Sequence, residues 1–117
     1  MMRAEAESKI RPTIPFPIPA NMLRMVEEQV PKQPEAAATQ HKEGGEWRSH
    51  TWSAMWEKLR AVGAALLEEG LESGDRVAIL SATRVEHVIA DLGNLAVRGI
   101  TVPLYHSHTP SEVQYVL

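Results

Sequence analysis

Apolar residues recur at helical spacing over a long segment that begins after Thr51, and polar residues occupy the positions between them. One face of the predicted helix is therefore apolar. Thr51 suits the N-cap, and Gly70 followed by Leu71 predicts a Schellman close in which Leu71 contacts Leu66. This pattern favours a core helix packed against a sheet over the wall of a ligand pocket. The apolar stripe comprises Trp52, Met55, Trp56, Leu59, Val62, Gly63 and Leu66.

A buried strand and a second helix follow this segment. The run Val77-Ala78-Ile79-Leu80 has no polar alternation, which predicts a strand over residues 76–81 that is covered on both faces, as in a parallel sheet. Thr83-Arg84-Val85-Glu86 then indicates a capping box at the start of a helix. The apolar stripe of this helix comprises Val85, Val88, Ile89, Leu92, Leu95 and Ala96.

Another strand comes directly after the second helix. Gly99-Ile100 repeats the helix close that is predicted at Gly70-Leu71, and a strand over residues 100–104 begins at once. Pro103 within it indicates a strand end or an edge strand. We expect a right-handed βαβ unit, because a twisted strand that feeds a helix packs back in only one hand.

The first third of the chain differs in kind from the rest, since six of the eight prolines lie at positions 12, 15, 17, 19, 31 and 34. Between Ile14 and Pro19 every second residue lacks a backbone N–H, which predicts extended or polyproline II structure. We favour packing on the protein's own surface over a PxxP-type ligand for a partner domain. Asn21 suits the N-cap of a short amphipathic helix that ends at Pro31.

Two short strands around a Gly44-Gly45 turn are predicted between residues 36 and 51. A further capping box, Thr109-Pro110-Ser111-Glu112, begins a last helix whose apolar positions are Val113, Val116 and Leu117. That helix has neither a C-cap nor a following strand, so we expect the physical unit to be longer than the chain. The predicted fold class is α/β. Residues 1–35 form an extended Pro-rich arm with a short helix, and residues 36–117 form a small hairpin and an incomplete parallel βαβα sheet.

Composition and charge predict a small soluble domain. The chain has 117 residues, 44% of them hydrophobic, and a net charge of −3, which argues against a nucleic-acid partner. No apolar run approaches the roughly 18 to 20 residues that cross a bilayer, and residues 1–9 lack the apolar core of a secretory signal. The absence of cysteine excludes disulfides and cysteine zinc sites. We expect a cytoplasmic protein and leave peripheral association with a membrane open.

Two polar residues stand where a parallel strand meets a helix N-terminus. Ser81 and Thr83 occupy this position, which can bind phosphate through exposed N–H groups and the helix dipole. Capping of the helix by Thr83 and Glu86 is the simpler explanation. Glu86 and His87 do not form an acid–base pair, because adjacent helical residues do not face each other.

A second polar group surrounds the predicted last helix. His106 and His108 with Glu112 are the right residue types for metal ligands. We favour exposed loop residues, since no cysteine and no third histidine stand nearby. The residues themselves therefore lead us to assign no catalytic, cofactor-binding or metal-ligating position.

Several linked segments nevertheless carry a family resemblance, which covers roughly positions 12 to 117 and is strongest after Thr51. In order and spacing they resemble the N-terminal end of an AMP-forming acyl-CoA synthetase, in the long-chain fatty-acid branch of the adenylate-forming family. The resemblance implies the N-terminal portion of that family's large domain. The segments are residues 51–56, 66–71, 74–81, 83–87 and 99–105.

The resemblance implies a two-step reaction in the full-length enzyme. A fatty-acid carboxylate attacks the α-phosphate of Mg-ATP to give an acyl-adenylate, and the thiol of coenzyme A then displaces AMP. The family's Ser/Thr/Gly-rich loop ending in Lys is not among these 117 residues, and neither are its adenine-binding aromatic segment, its hinge Asp and its C-terminal catalytic Lys. ATP, Mg²⁺ and coenzyme A are therefore implied for the full-length enzyme, and the chain alone is expected to be inactive.

Two alternatives stay open at this point. The chain is an interaction module or degenerate remnant that completes its sheet with a separately encoded partner, such as the remainder of a ligase. In the second alternative it is a free-standing nucleotide-binding domain, because its strand-to-helix turns are able to hold an anion.

Overall fold

The computed structural model describes residues 21–117, so the predicted proline-rich segment over residues 12–19 lies outside the described residues. The described part has a mixed α/β fold, as predicted. It contains a two-stranded antiparallel hairpin and a two-stranded parallel sheet, with helices between and after them. In chain order the elements are α1 (Met22–Lys32), β1 (Ala37–Glu43), β2 (Glu46–Thr51), α2 (Trp52–Glu68), β3 (Arg76–Leu80), α3 (Val85–Ala96), β4 (Ile100–Leu104) and α4 (Pro110–Val116).

Helix α1 begins where the sequence predicts and ends slightly later. The Asn21 side chain accepts a hydrogen bond of 2.9 Å from the backbone N–H of Arg24, which confirms the N-cap. The prediction that the helix ends at Pro31 is wrong, since Pro31 lies inside the helix and Lys32 is its last residue. A proline in the last turn removes only one intrahelical hydrogen bond, so one further helical residue is tolerated there.

The predicted hairpin is confirmed, and its ends are tied to the flanking helices. Strands β1 and β2 pair in antiparallel register, with Glu43 opposite Glu46 across the Gly44-Gly45 turn. At the open end, the backbone N–H of Trp52 donates to the carbonyl of Ala36 at 3.1 Å. The N–H of Ser53 donates to the carbonyl of Pro34 at 3.0 Å, so the start of α2 holds the chain segment that enters the hairpin.

The prediction that the apolar stripe of α2 packs against a sheet is wrong for the described residues, since the core lies mainly between the two helices α2 and α3. Their axes come close because Gly63 and Gly93 have no side chain: a Cβ atom at Gly93 would lie 2.7 Å from Cγ1 of Val62. Close approach of the helices buries apolar area on both. The buried apolar residues of this core are Met55, Leu59, Ile89 and Leu92, and the partly buried ones around them are Leu23, Val26, Ala38, Trp52, Trp56, Val62, Val85, Leu95 and Ala96.

Strands β3 and β4 pair in parallel around the crossover helix α3, which confirms the βαβ unit. Pro103 stands opposite Ile79 in this two-stranded sheet, where each strand has an open edge in the described part of the chain. The prediction that β3 is covered on both faces is wrong for the described residues. Burial alternates along β3, and Leu80 and Ile100 remain 58% and 49% exposed, because α3 covers only one face of the sheet.

The Schellman motif predicted at the C-terminus of α2 is confirmed. The N–H of Leu71 donates to the carbonyl of Leu66 and that of Gly70 to Leu67, both at 3.0 Å, and Gly70 has φ of 93°. These are the two hydrogen bonds of a Schellman motif. The long apolar helix α2 therefore ends where the sequence predicts.

The Schellman motif at the C-terminus of α3 is shifted by one residue from its predicted position. The N–H of Gly99 donates to the carbonyl of Asn94 at 3.0 Å and that of Arg98 to Leu95 at 3.1 Å. Arg98, and not Gly99, has the left-handed conformation, with φ of 64°. Gly99 is buried against the side chain of Asn94, so close packing and not backbone conformation requires a glycine there.

The last helix has the predicted start. In α4 the Thr109 side chain accepts a hydrogen bond from the Glu112 N–H, and the Glu112 carboxylate accepts one of 2.7 Å from the Thr109 N–H. This is the predicted capping box with Pro110 in the first turn. In residues 21–117 no helix has the length and apolar character needed to span a bilayer.

Candidate functional site

A crevice lies at the carboxyl ends of the two parallel strands. It has a volume of about 350 Å³ and more apolar than polar surface. In open α/β sheets this edge is where ligands bind. The crevice is therefore the first place to look for a binding function. Its lining consists of Ser81, Thr83, His87, Pro103, Leu104, Tyr105 and His106.

The strand-to-helix turn contributes hydroxyl groups to this crevice, as the sequence analysis anticipates. The Ser81 hydroxyl donates to the carbonyl of Ala82 at 2.6 Å. Thr83 is not the N-cap of α3, so the predicted capping box of Thr83 with Glu86 is wrong. The N-cap is Arg84, which makes no side-chain capping bond, and α3 begins at Val85. The hydroxyl of Thr83 thus lines the crevice without serving the helix.

Glu86 binds Arg84 instead of the helix terminus. The guanidinium of Arg84 donates two hydrogen bonds of 2.7 and 2.9 Å to the Glu86 carboxylate. This pairing, aided by the backbone N–H of Glu86, lowers the pKa of Glu86 to about 2. The same hydrogen bond raises the pKa of Arg84. Glu86 therefore has no part in acid–base chemistry with His87, which is half-buried in the crevice wall.

The residues considered as metal ligands are not brought together. His106 lines the crevice, whereas the His108 ring packs edge-on against Tyr105 with a centroid separation of 5.2 Å. The Glu112 carboxylate is held by Thr109, whose backbone N–H lowers the pKa of Glu112. Within residues 21–117 no group of three His, Asp or Glu side chains is placed to hold a metal ion.

A further polar cluster was missed by sequence reasoning. On one face of the hairpin the rings of His41 and His50 stack at 5.7 Å and 21°. His50 also faces Lys58 of α2 and Thr39 of β1. The Gly44-Gly45 turn is the signal that could have placed Thr39, His41 and His50 on one face, because the turn sets the hairpin register.

Electrostatics around the crevice limit what it can bind. Its lining has hydroxyl and imidazole groups but neither lysine nor arginine, and the nearby Arg84 is already paired with Glu86. A triphosphate needs preorganised donors together with a cation. The lining of this crevice therefore does not fit the phosphates of ATP.

Comparison with known proteins gives a consistent picture. A profile of the AMP-binding enzyme family matches residues 26–117. The long-chain-fatty-acid–CoA ligase FadD15 from Mycobacterium bovis is 36% identical over 97 residues, which cover 83% of this chain and 16% of FadD15. The chain thus spans about a sixth of the length of this curated relative.

Solved structures show the same fold. The fatty acid AMP ligase from Legionella pneumophila is similar with a TM-score of 0.69 and 25% identity, over 74% of this chain and 15% of the ligase. The N-terminal subdomain of Klebsiella oxytoca NpsA has a TM-score of 0.73 and 23% identity, over 82% of this chain and 24% of that one. The latter likeness concerns the fold alone.

Proposed function

Because the chain belongs to the AMP-binding enzyme family, we propose that it forms the N-terminal part of a ligase that joins fatty acids to coenzyme A. Its similarity to FadD15 over most of its own length supports this choice of substrate class. In the proposed reaction a carboxylate and ATP give an acyl-adenylate, and the thiol of coenzyme A then releases AMP. The proposed compartment is the cytoplasm.

In that ligase the chain supplies the first two strands of a sheet in the large domain. The observation that carries the proposal is the parallel βαβ unit, in which the described residues leave one apolar face uncovered at Leu80 and Ile100. A sheet of two strands with one bare face is not an independently stable layer, and further strands or helices complete it. The remainder of the ligase supplies such elements.

In the proposed ligase these 117 residues alone do not catalyse the reaction. The crevice lacks a cation for the phosphates, and no segment of the chain is rich in Ser, Thr and Gly and followed by Lys. Mg²⁺, ATP and coenzyme A would be held by the remainder of the ligase. We expect the purified chain to show no fatty-acid-dependent exchange of pyrophosphate into ATP.

An exchange of segments tests the proposal. In FadD15 the N-terminal region that matches this chain is replaced by residues 21–117, and palmitoyl-CoA formation is measured with ATP and coenzyme A. We expect ligase activity above that of FadD15 from which the region is deleted. A hybrid that melts as cooperatively as FadD15 yet forms neither adenylate nor thioester would contradict the proposal.

The uncovered sheet face also favours a second candidate, an interaction module that completes its sheet with a separately encoded partner. The test is co-expression of the chain with FadD15 lacking the matching region. Co-purification with restored ligase activity supports this candidate. Recovery of the two polypeptides in separate fractions counts against it.

A further inference from the structure

A lysine on helix α2 faces a histidine on strand β2. Nζ of Lys58 lies 3.0 Å from Nε2 of His50. A lysine ammonium has donors only, so Nε2 is the acceptor, and we assign the proton of the neutral imidazole to Nδ1. Nδ1 in turn lies 3.5 Å from Oγ1 of Thr39 on strand β1. An amine, a base and a group that orients the base thus stand in line, an arrangement typical of activated nucleophiles.

The position of His50 is fixed from several sides. Its ring stacks on that of His41, and the next residue, Thr51, is the N-cap of α2 and accepts a hydrogen bond of 3.1 Å from Ala54. Lys58 lies on the same helix, so the cap holds the strand that carries the base to the helix that carries the amine. The Lys58 side chain is exposed, and a reactant can reach it from solvent.

We propose that Lys58 is a site of acylation by acyl thioesters, with His50 as its general base. The Lys58 ammonium first releases one proton to solvent, and the neutral amine then attacks the thioester carbonyl carbon and forms a C–N bond. The C–S bond breaks and the thiolate leaves. The surplus proton on nitrogen passes to Nε2 of His50 and from there, through solvent, to the thiolate. The products are an N-acyl-lysine and a free thiol, and no oxidant or reductant takes part.

The chemistry of the cluster selects thioesters among acyl donors. Among the described residues His50 is the group in hydrogen-bond contact with the Lys58 amine, and it acts there as a base. A thiolate is a weak base and leaves without being protonated, whereas an alkoxide or an amine needs a positioned acid at the leaving atom. The inference is independent of the proposed ligase activity, because the thioester is supplied from outside.

Lys42 provides a comparison within the same chain. It is also exposed, on strand β1, but its ammonium lies over the Trp47 ring at 5.5 Å from the centroid. Among the described residues no histidine lies within hydrogen-bond distance of its Nζ. In one experiment both lysines therefore meet the same solvent and the same thioester concentration. Lys58 has a neighbouring base, whereas Lys42 has the Trp47 ring instead.

The experiment incubates the full chain with acetyl-CoA at constant pH and follows acetylation of each lysine by peptide mass spectrometry. General base catalysis contributes about 100-fold or more in favourable sites, so we expect Lys58 to react at least about tenfold faster than Lys42. His50→Gln is expected to reduce the rate at Lys58 to that at Lys42, with Lys42 unchanged. Equal rates at the two lysines in the unaltered chain would overturn the proposal without any substitution.

Three further variants test the place of the amine on α2 and the group that orients the base. Arg60→Lys places an exposed lysine on α2 away from His50, and we expect it to react at the rate of Lys42. Thr39→Val removes the group that orients His50, whereas Thr39→Ser retains a hydroxyl. Rescue of the Lys58 rate by Ser but not Val supports Thr39 as a positioning residue. An unchanged Lys58 rate in a folded His50→Gln chain would refute the role of His50.

Discussion

Gly99 lies directly against the buried side-chain amide of Asn94: a Cβ atom at position 99 would overlap Oδ1 of Asn94. The same amide donates a hydrogen bond of 2.9 Å from Nδ2 to Oγ1 of Thr101 on strand β4. Asn94 is fully buried. It therefore joins the end of α3 to the strand that follows, and the room for it depends on the missing side chain at position 99.

Gly99→Ala should therefore be strongly destabilising. We expect a loss of about 2 kcal/mol or more in the free energy of unfolding, as for overpacked cores, measured by urea denaturation. Asn94→Ala in the same chain removes the overlapping atoms, so the double variant should lose less than the sum of the single losses. If the losses in free energy of unfolding were additive, a Cβ atom at position 99 would not clash with the Asn94 side chain.

In contrast to Gly99→Ala, the substitution Arg98→Gly should raise the free energy of unfolding. Arg98 has φ of 64°, a conformation that costs an L-residue roughly 1 to 2 kcal/mol and glycine almost nothing. Part of this gain is offset by the greater freedom of glycine in the unfolded chain, so we expect a net stabilisation of about 0.5 to 1 kcal/mol. A lower urea midpoint for the variant would contradict the assignment of the left-handed position to residue 98.

Two leucines of α2 give a matched pair for the core. Leu59 is 0% exposed and Leu67 is 55% exposed. Leu59→Ala should cost about 2 to 5 kcal/mol, because it removes buried methyl groups and leaves a cavity. Leu67→Ala should change the free energy of unfolding by no more than about 0.5 kcal/mol. Similar losses for both would place the core elsewhere.

The Arg84–Glu86 pair predicts a specific dependence on pH. The pKa of the Glu86 carboxyl, about 2, lies below the ordinary value of 4.5, so the folded state favours the ionised carboxylate. The stabilisation is complete above pH 4.5 and is lost as the pH falls towards 2. Carbon-detected NMR should show the Glu86 carboxyl titrating well below 4.5, and Arg84→Gln should raise its midpoint. An ordinary midpoint in the folded chain would rule out the pairing.

The sheet face that residues 21–117 leave uncovered predicts self-association of the isolated chain. Leu80 and Ile100 expose 58% and 49% of their surface on a face with open strand edges. Sedimentation velocity should show an average mass that rises with concentration. Ile100→Thr keeps a β-branched side chain with less apolar surface, and we expect it to weaken the association. A monomer of constant mass at all concentrations would contradict the prediction.

The elements could be predicted from the sequence because their periodicity is long and consistent. The stripe from Trp52 to Leu66 determines α2, and the burial of Met55 and Leu59 follows from it. The hydroxyls of Ser81 and Thr83 could be placed at the strand ends for the same reason. Local spacing alone therefore accounts for most of the fold and for one wall of the crevice.

The errors arise where a specific side-chain contact decides a shift of a single position. Thr83 is the better N-cap by residue type, yet α3 begins at Val85 and Arg84 pairs with Glu86. The contact of Gly99 with Asn94 likewise displaces the left-handed turn onto Arg98. The contact of His50 with Lys58 depends on hairpin register and helix placement together, so no spacing along the chain reveals it.

Hydrogen bonds at the base of the hairpin tie it to the start of α2. A change in the length of the hairpin therefore leaves the geometry of the core unchanged. Because Trp52 bonds to Ala36 and Ser53 to Pro34, the two ends of the hairpin stay together whatever its tip contains. No atom of residues 21–117 outside the turn lies within 4 Å of a Cβ atom built at either glycine of the tip. The tip is thus a natural insertion point, where an epitope or a fluorescent label between Gly44 and Gly45 would report on the chain without entering its interior.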